Sequence, residues 1–206
     1  MQAQHKKLLA FLLVIALVII YVQVIIGGTT RLTGSGLSIT DWKIVTGTIP
    51  PLNAEQWQEE FNQYKATPQY QEINEGMKMK DFQSIYFWEW LHRVWGRWGF
   101  MFIVFVFGYF AAKKYLDKTA VKRFMVFLVL YALQGLLGWF MVKSGLVDVP
   151  HVSHYRLTAH LLLALFLFSY ILWWIADLVV PKNQKIINPK AQRFSRMLVG
   201  ISVLQI

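Results

Sequence analysis

Glu89 and His92 stand three positions apart in YFWEWLHRVWGRWG, residues 86–99, with Arg93 and Arg97 beside them and four tryptophans interleaved. A carboxylate and an imidazole at i and i+3 share one face of a helix, and Gly96 and Gly99, at i+4 and i+7 from His92, continue it. The stretch runs into Trp98 to Ala112, which carry no charge. Ionisable groups at the mouth of a membrane span cost on the order of several kcal/mol unless paired, ligated or hydrated. A general base, a metal ligand and anion-binding arginines are the roles that such groups could fill.

A second imidazole comes from PHVSHYRLTAHLLLALF, residues 150–166, where His160 follows Arg156 by four positions. At about 1.5 Å per residue, His92 and His160 each fall roughly one to two turns inside the same membrane boundary. Two neutral imidazoles on facing helices can hold a haem iron between them, and Arg93, Arg97 and Arg156 suit its propionates. The glycines admit two readings: a flat slot for a planar ring, or close helix packing of the kind small residues give in membranes. A purely structural reading, with both histidines hydrogen-bonded inside a bundle, also stands. A di-iron site would need a second Glu-x-x-His unit and further carboxylates, and a zinc hydrolase would need His-Glu-x-x-His; the sequence has neither. Trp88, Trp90, Trp95 and Trp98 are expected as belt and packing residues. His151 and His154 fall in a short outer turn, and His5 in a basic tail. Gln134, with Gly135 and Gly138, is expected to supply a buried hydrogen bond and close packing to its span.

The elements that must position these groups are transmembrane helices. The chain has 206 residues, of which 56% are hydrophobic and 16% aromatic, beyond the range of an ordinary soluble domain. Spans are expected at about 8–26, 86–112, 124–142 and 157–180, with a truncated fifth from about 195. The first follows a short basic stretch, but it is too long for a signal-peptide core and lacks a small-x-small cleavage site, which predicts a retained helix. The formal charge of +10 is concentrated in the connections. Lys6 and Lys7, the run from Lys113 to Arg123, and the run from Lys182 to Arg196 would mark a cytoplasmic side, whereas residues 27–83 hold five basic against seven acidic residues. This predicts a cytoplasmic N-terminus, an extracytoplasmic loop over 27–83, and no nucleic-acid partner. The absence of an Arg- and Ser-rich presequence points to a bacterial plasma membrane. The chain contains no cysteine, so neither a disulfide nor a thiolate metal site is available.

Within the loop, GGTTRLTGSGLSITDWKIVTGTIPP is expected to form irregular turns. Asn53 should cap a short amphipathic helix bearing Trp57, Phe61 and Tyr64 and ending before Pro68, and Asp81 should cap the helix that carries Glu89. The fold class is therefore an all-α integral membrane protein, a four-helix transmembrane bundle with a long outer loop.

Taken together, GGTTRLTGSGLSITDW (27–42), IYFWEWLHRVWGR (85–97), LQGLLGWFMVKSGL (133–146) and VSHYRLTAHL (152–161) resemble the haem A synthase family. The resemblance implies that this chain is one half of an eight-helix pseudo-symmetric protein, with the start of the fifth helix. It implies that His92 and His160 hold haem O as substrate, that a second histidine pair in the other half holds haem b, and that Glu89 is the essential carboxylate. The implied reaction oxidises a methyl group of haem O to the formyl of haem A, through a hydroxymethyl stage and with oxygen from water, for maturation of haem-copper oxidases. Arg31, in the Gly-Thr-rich motif, joins Arg93, Arg97, Arg156, Gly96 and Gly99 as candidates for the propionates or the pocket. Implied partners are lipid, haem O synthase, an electron acceptor and a second copy of the chain. The alternative is a bis-histidine b-type membrane cytochrome for electron transfer, in which Glu89 is incidental.

Overall fold

A computed structural model describes residues 1–41, 46–145, 150–180 and 189–204, and among these every regular element is helical. Positions 42–45 of the outer loop, and Lys182 and Lys185 of the last basic run, lie outside the described residues. Helix α1 covers Ala3–Leu32, α2 Ala54–Lys65, α3 Pro68–Glu72, α4 Met79–Ala112, α5 Lys118–Gly145, α6 His154–Val179 and α7 Pro189–Leu204, with a 3₁₀ turn at Thr46–Thr48. Four of them, α1, α4, α5 and α6, are long and apolar enough to cross a membrane. Their outward faces carry Phe11, Val18, Met101, Phe105, Phe166 and Trp173, all exposed, as a lipid-facing surface requires.

The four long helices form a ring: α1 packs against α4 and α6, and α5 closes the ring against α6 and, less extensively, α4. Leu9, Leu13, Ala16 and Ile20 of α1 meet Ile103, Val106 and Phe110 of α4, Ala120, Phe124 and Phe127 of α5, and Leu167, Ile171 and Trp174 of α6. This packed core fills one end of the bundle only. Its members stop one turn or more short of His92 and His160, whose surroundings are polar and glycine-lined. At the packed end, Arg123 pairs with Asp177 at 2.8 Å and lies over the Trp173 ring, which fits the interfacial position expected for Asp177.

At the other end the loop folds onto α4. Asn53 caps α2 as expected, accepting from the Gln56 amide, and Phe61 and Tyr64 of α2 pack with Ile39 of the loop and Phe82 and Tyr86 of α4. Burial pushes the Tyr64 phenol upward against the opposing hydrogen bond from Asn74, so it stays protonated, donating to Gln69 and accepting from Asn74.

Two boundaries differ from expectation. The turns expected from Gly27 are helical as far as Leu32, because Thr29 and Thr30 return their hydroxyls to the carbonyls of Ile25 and Ile26 and so stay within the helix. Thr30 also donates to the Trp88 carbonyl, tying the extension to α4. The chain leaves α1 through Gly34, whose φ of +66° is open to glycine at little cost. Helix α4 begins at Met79 with Lys78 as its N-cap, one turn earlier than an Asp81 cap would place it.

Candidate active site

Glu89 is the most deeply buried charged side chain among the described residues, at 2% exposure, and the loop after α1 encloses it. Its Oε2 accepts from the Ser38 hydroxyl at 2.7 Å and from the Ile39 backbone N–H at 2.8 Å. Its Oε1 accepts from Arg93, one turn along the same helix. Arg93 reaches on to the Ile39 carbonyl at 2.9 Å and the Asp41 carbonyl at 3.1 Å. Carboxylate, guanidinium and loop backbone thus form one closed clasp. An ionised carboxylate offers about four acceptor positions, and three are taken here, which leaves one for a further donor such as water.

His92 lies one turn deeper and faces α1. The Gln23 amide nitrogen is 3.1 Å from its Nδ1 and donates to its backbone carbonyl at 3.0 Å. A Cβ on Gly27 would come to 2.8 Å from Cε1 of the ring, so only glycine admits the imidazole there. His160, on α6, has a similar setting against α5. Gln134 donates to its carbonyl at 3.0 Å, the hydrogen bond expected of that residue, and a Cβ on Gly138 would lie 3.2 Å from its Cε1. Nδ1 of His160 is buried without a hydrogen-bond partner. The two histidines sit on α4 and α6, helices that lie across the ring from each other.

The other candidates are placed as follows. Arg97 donates to the Gly47 carbonyl at 3.0 Å, and Arg156 lies over the Phe140 ring at 4.6 Å. Arg31 is exposed in the last turn of α1. The space beside Gly96 is taken by the Gln23 amide, and that beside Gly99 by the Tyr131 hydroxyl and Ile19. Both glycines lie against neighbouring side chains, and those beside the histidine rings are Gly27 and Gly138. Trp90 and Trp95 donate their indole N–H to the carbonyls of Thr48 and Ile19, whereas Trp98 is largely exposed. His154 is exposed against Tyr155, and His5 stacks on Tyr115.

Among the described residues no group of three or more His, Cys, Asp or Glu is placed to hold a metal ion. The donor set fits an iron porphyrin instead. Two imidazoles are carried by helices on opposite sides of the ring, one with an orphaned ring nitrogen, and both lie against glycines that leave their rings room. His92 and His160 are the residues that would hold its iron, and the iron-bound macrocycle would supply the redox chemistry. Ser38 and Ile39 were invisible as functional residues in the sequence. A Gly- and Ser-rich segment before a buried Glu was their only signal.

Residues 10–206 match the family described as cytochrome oxidase assembly protein. The chain is 46% identical over 191 residues to the haem A synthase of Flavobacterium psychrophilum, covering 91% of this chain and 56% of that protein. It is 48% identical over 186 residues to that of Flavobacterium johnsoniae, covering 89% and 54%. It is 43% identical over 200 residues to that of Parvibaculum lavamentivorans, covering 97% and 58%. The chain thus spans little more than half the length of these relatives. No solved structure matches.

Proposed function

The chain belongs to the cytochrome oxidase assembly protein family, and on that premise we propose that it is the haem O-binding half of a haem A synthase. The observation that carries this reading is the placement of His92 on α4 and His160 on α6, each against a glutamine and a glycine of a neighbouring helix, with a clasped carboxylate, Glu89, one turn above His92. His92 and His160 hold the iron of the substrate, haem O. Glu89 keeps one acceptor position for a water and takes a proton from it as the oxygen is delivered to the porphyrin methyl group. Its negative charge also favours positive charge developing at that carbon. Arg156, whose guanidinium has only the Phe140 ring beside it among the contacts above, is best placed to meet a propionate; Arg31, Arg93 and Arg97 come second. Electrons leave to an acceptor. The protein sits in a bacterial plasma membrane with its N-terminus in the cytoplasm, supported by the basic residues at the packed end of the bundle.

Glu89→Ala tests the reading. Pigment extracted from cells relying on the variant should contain haem O and no haem A, while the protein still binds haem. Normal haem A would remove Glu89 from the reaction, and haem b as the sole bound pigment in the native protein would favour the electron-transfer cytochrome.

A further inference from the structure

Helices α1 and α5 carry the same short pattern, Gln-x-x-x-Gly, as Gln23 with Gly27 and Gln134 with Gly138. Each directs it at the histidine of the helix it packs against, α1 at His92 on α4 and α5 at His160 on α6. The two arrangements agree in two respects. Each glutamine Nε2 donates to its histidine's backbone carbonyl at 3.0 Å, and each glycine, one turn on, lets the ring lie against the helix backbone. Both glutamine Oε1 atoms are buried without a partner, and so is Nδ1 of His160. A buried acceptor without a donor is rare, and two at matched positions indicate a shared purpose.

A histidine that ligates iron through Nε2 carries its proton on Nδ1, and that N–H needs an acceptor to fix the tautomer and the ring's rotation. We propose that Gln23 and Gln134 are positioning residues that supply this acceptor: each turns its amide oxygen to the Nδ1–H of its histidine and presents Nε2 to the iron. The proposal rests on the reading of His92 and His160 as haem ligands. For Gln23, the amide nitrogen lies 3.1 Å from Nδ1 and 3.4 Å from Nε2, so a half-turn of the amide with a small rotation of the ring brings the oxygen to Nδ1 and turns Nε2 away. The carbonyl it releases keeps its own helical N–H donor. Gly27 and Gly138 set the plane of each ring, and the glutamines set which nitrogen faces inward.

The chain, purified in detergent and loaded with haemin as probe, is compared with Gln23→Met and Gln134→Met, which keep the size and lose the acceptor. Gln23→Glu and Gln134→Glu strengthen the acceptor. His92→Ala and His160→Ala report on ligation, and circular dichroism establishes that each variant is folded. The Met variants should release haemin roughly 10- to 100-fold more readily and shift its midpoint potential upward. The Glu variants should shift it downward, because a stronger acceptor makes the imidazole a better donor to ferric iron. If the Met variants do not fold, the sign of the shift in the Glu variants decides. Unchanged potential and retention in the folded glutamine variants, with bis-imidazole spectra intact, would overturn the positioning role and leave the ligands standing. A haemin spectrum unchanged in both histidine variants would overturn the ligand reading and this proposal with it.

Discussion

Glu89 is held by protein groups before any substrate arrives. Its carboxylate is bonded to Ser38, Ile39 and Arg93, and Arg93 in turn holds the backbone of the same loop. Removing one member leaves the others buried and uncompensated. Arg93→Ala should therefore lower stability by about 3–5 kcal/mol, as breaking a buried ion pair does. Ser38→Ala should lose about 1.5–3 kcal/mol, the range for a hydrogen bond to a charged group. Thermal unfolding in detergent measures both, and a shift for Ser38→Ala as large as that for Arg93→Ala would contradict the ordering. The importance of Glu89 and His92 was legible in the sequence, since charged groups beside an apolar run need a reason. Their partners were not: Ser38 and Ile39 lie about 50 positions from Glu89, and nothing local in a Ser- and Gly-rich segment indicates that it will bond a carboxylate.

At the scale of elements, the spans were legible because apolar length alone identifies them, and the α2 cap because Asn53 precedes an amphipathic run. The end of α1 was not legible. Gly28, Thr29 and Thr30 look like a turn, and the tertiary bond from Thr30 to the Trp88 carbonyl, which no local pattern announces, joins the local hydroxyl bonds in holding them helical. The roles of individual glycines were also hidden, because a glycine on a helix face looks the same whether it meets a ligand or a neighbouring side chain. Gly99 faces the Tyr131 hydroxyl, to which a Cβ would come within 2.5 Å. Gly99→Ala should thus cost about 1–3 kcal/mol from overpacking. Adding Tyr131→Phe should recover part of that loss, and strictly additive losses in the double variant would contradict the contact. Gly27→Ala acts at the histidine instead. It should displace the His92 ring and weaken haemin retention while the fold, read by circular dichroism, persists.

On the scale of the whole molecule, the four-helix ring is packed solid at one end and polar at the other, and the proposed chemistry belongs to the polar end. If the basic connections face the cytoplasm, that end opens outward. The absence of native cysteine makes this measurable with single introduced thiols. Glu55→Cys, on α2, should react with a membrane-impermeant maleimide in intact cells, and Lys118→Cys, at the start of α5, only after permeabilisation. The reverse pattern would invert the topology. The central claim, that α4 and α6 bring two histidines to one iron, is tested most directly by low-temperature electron paramagnetic resonance of the haemin-loaded chain. A low-spin bis-imidazole signal is expected, and His92→Ala and His160→Ala should each replace it with a high-spin one; a low-spin signal that survives both substitutions would contradict the account.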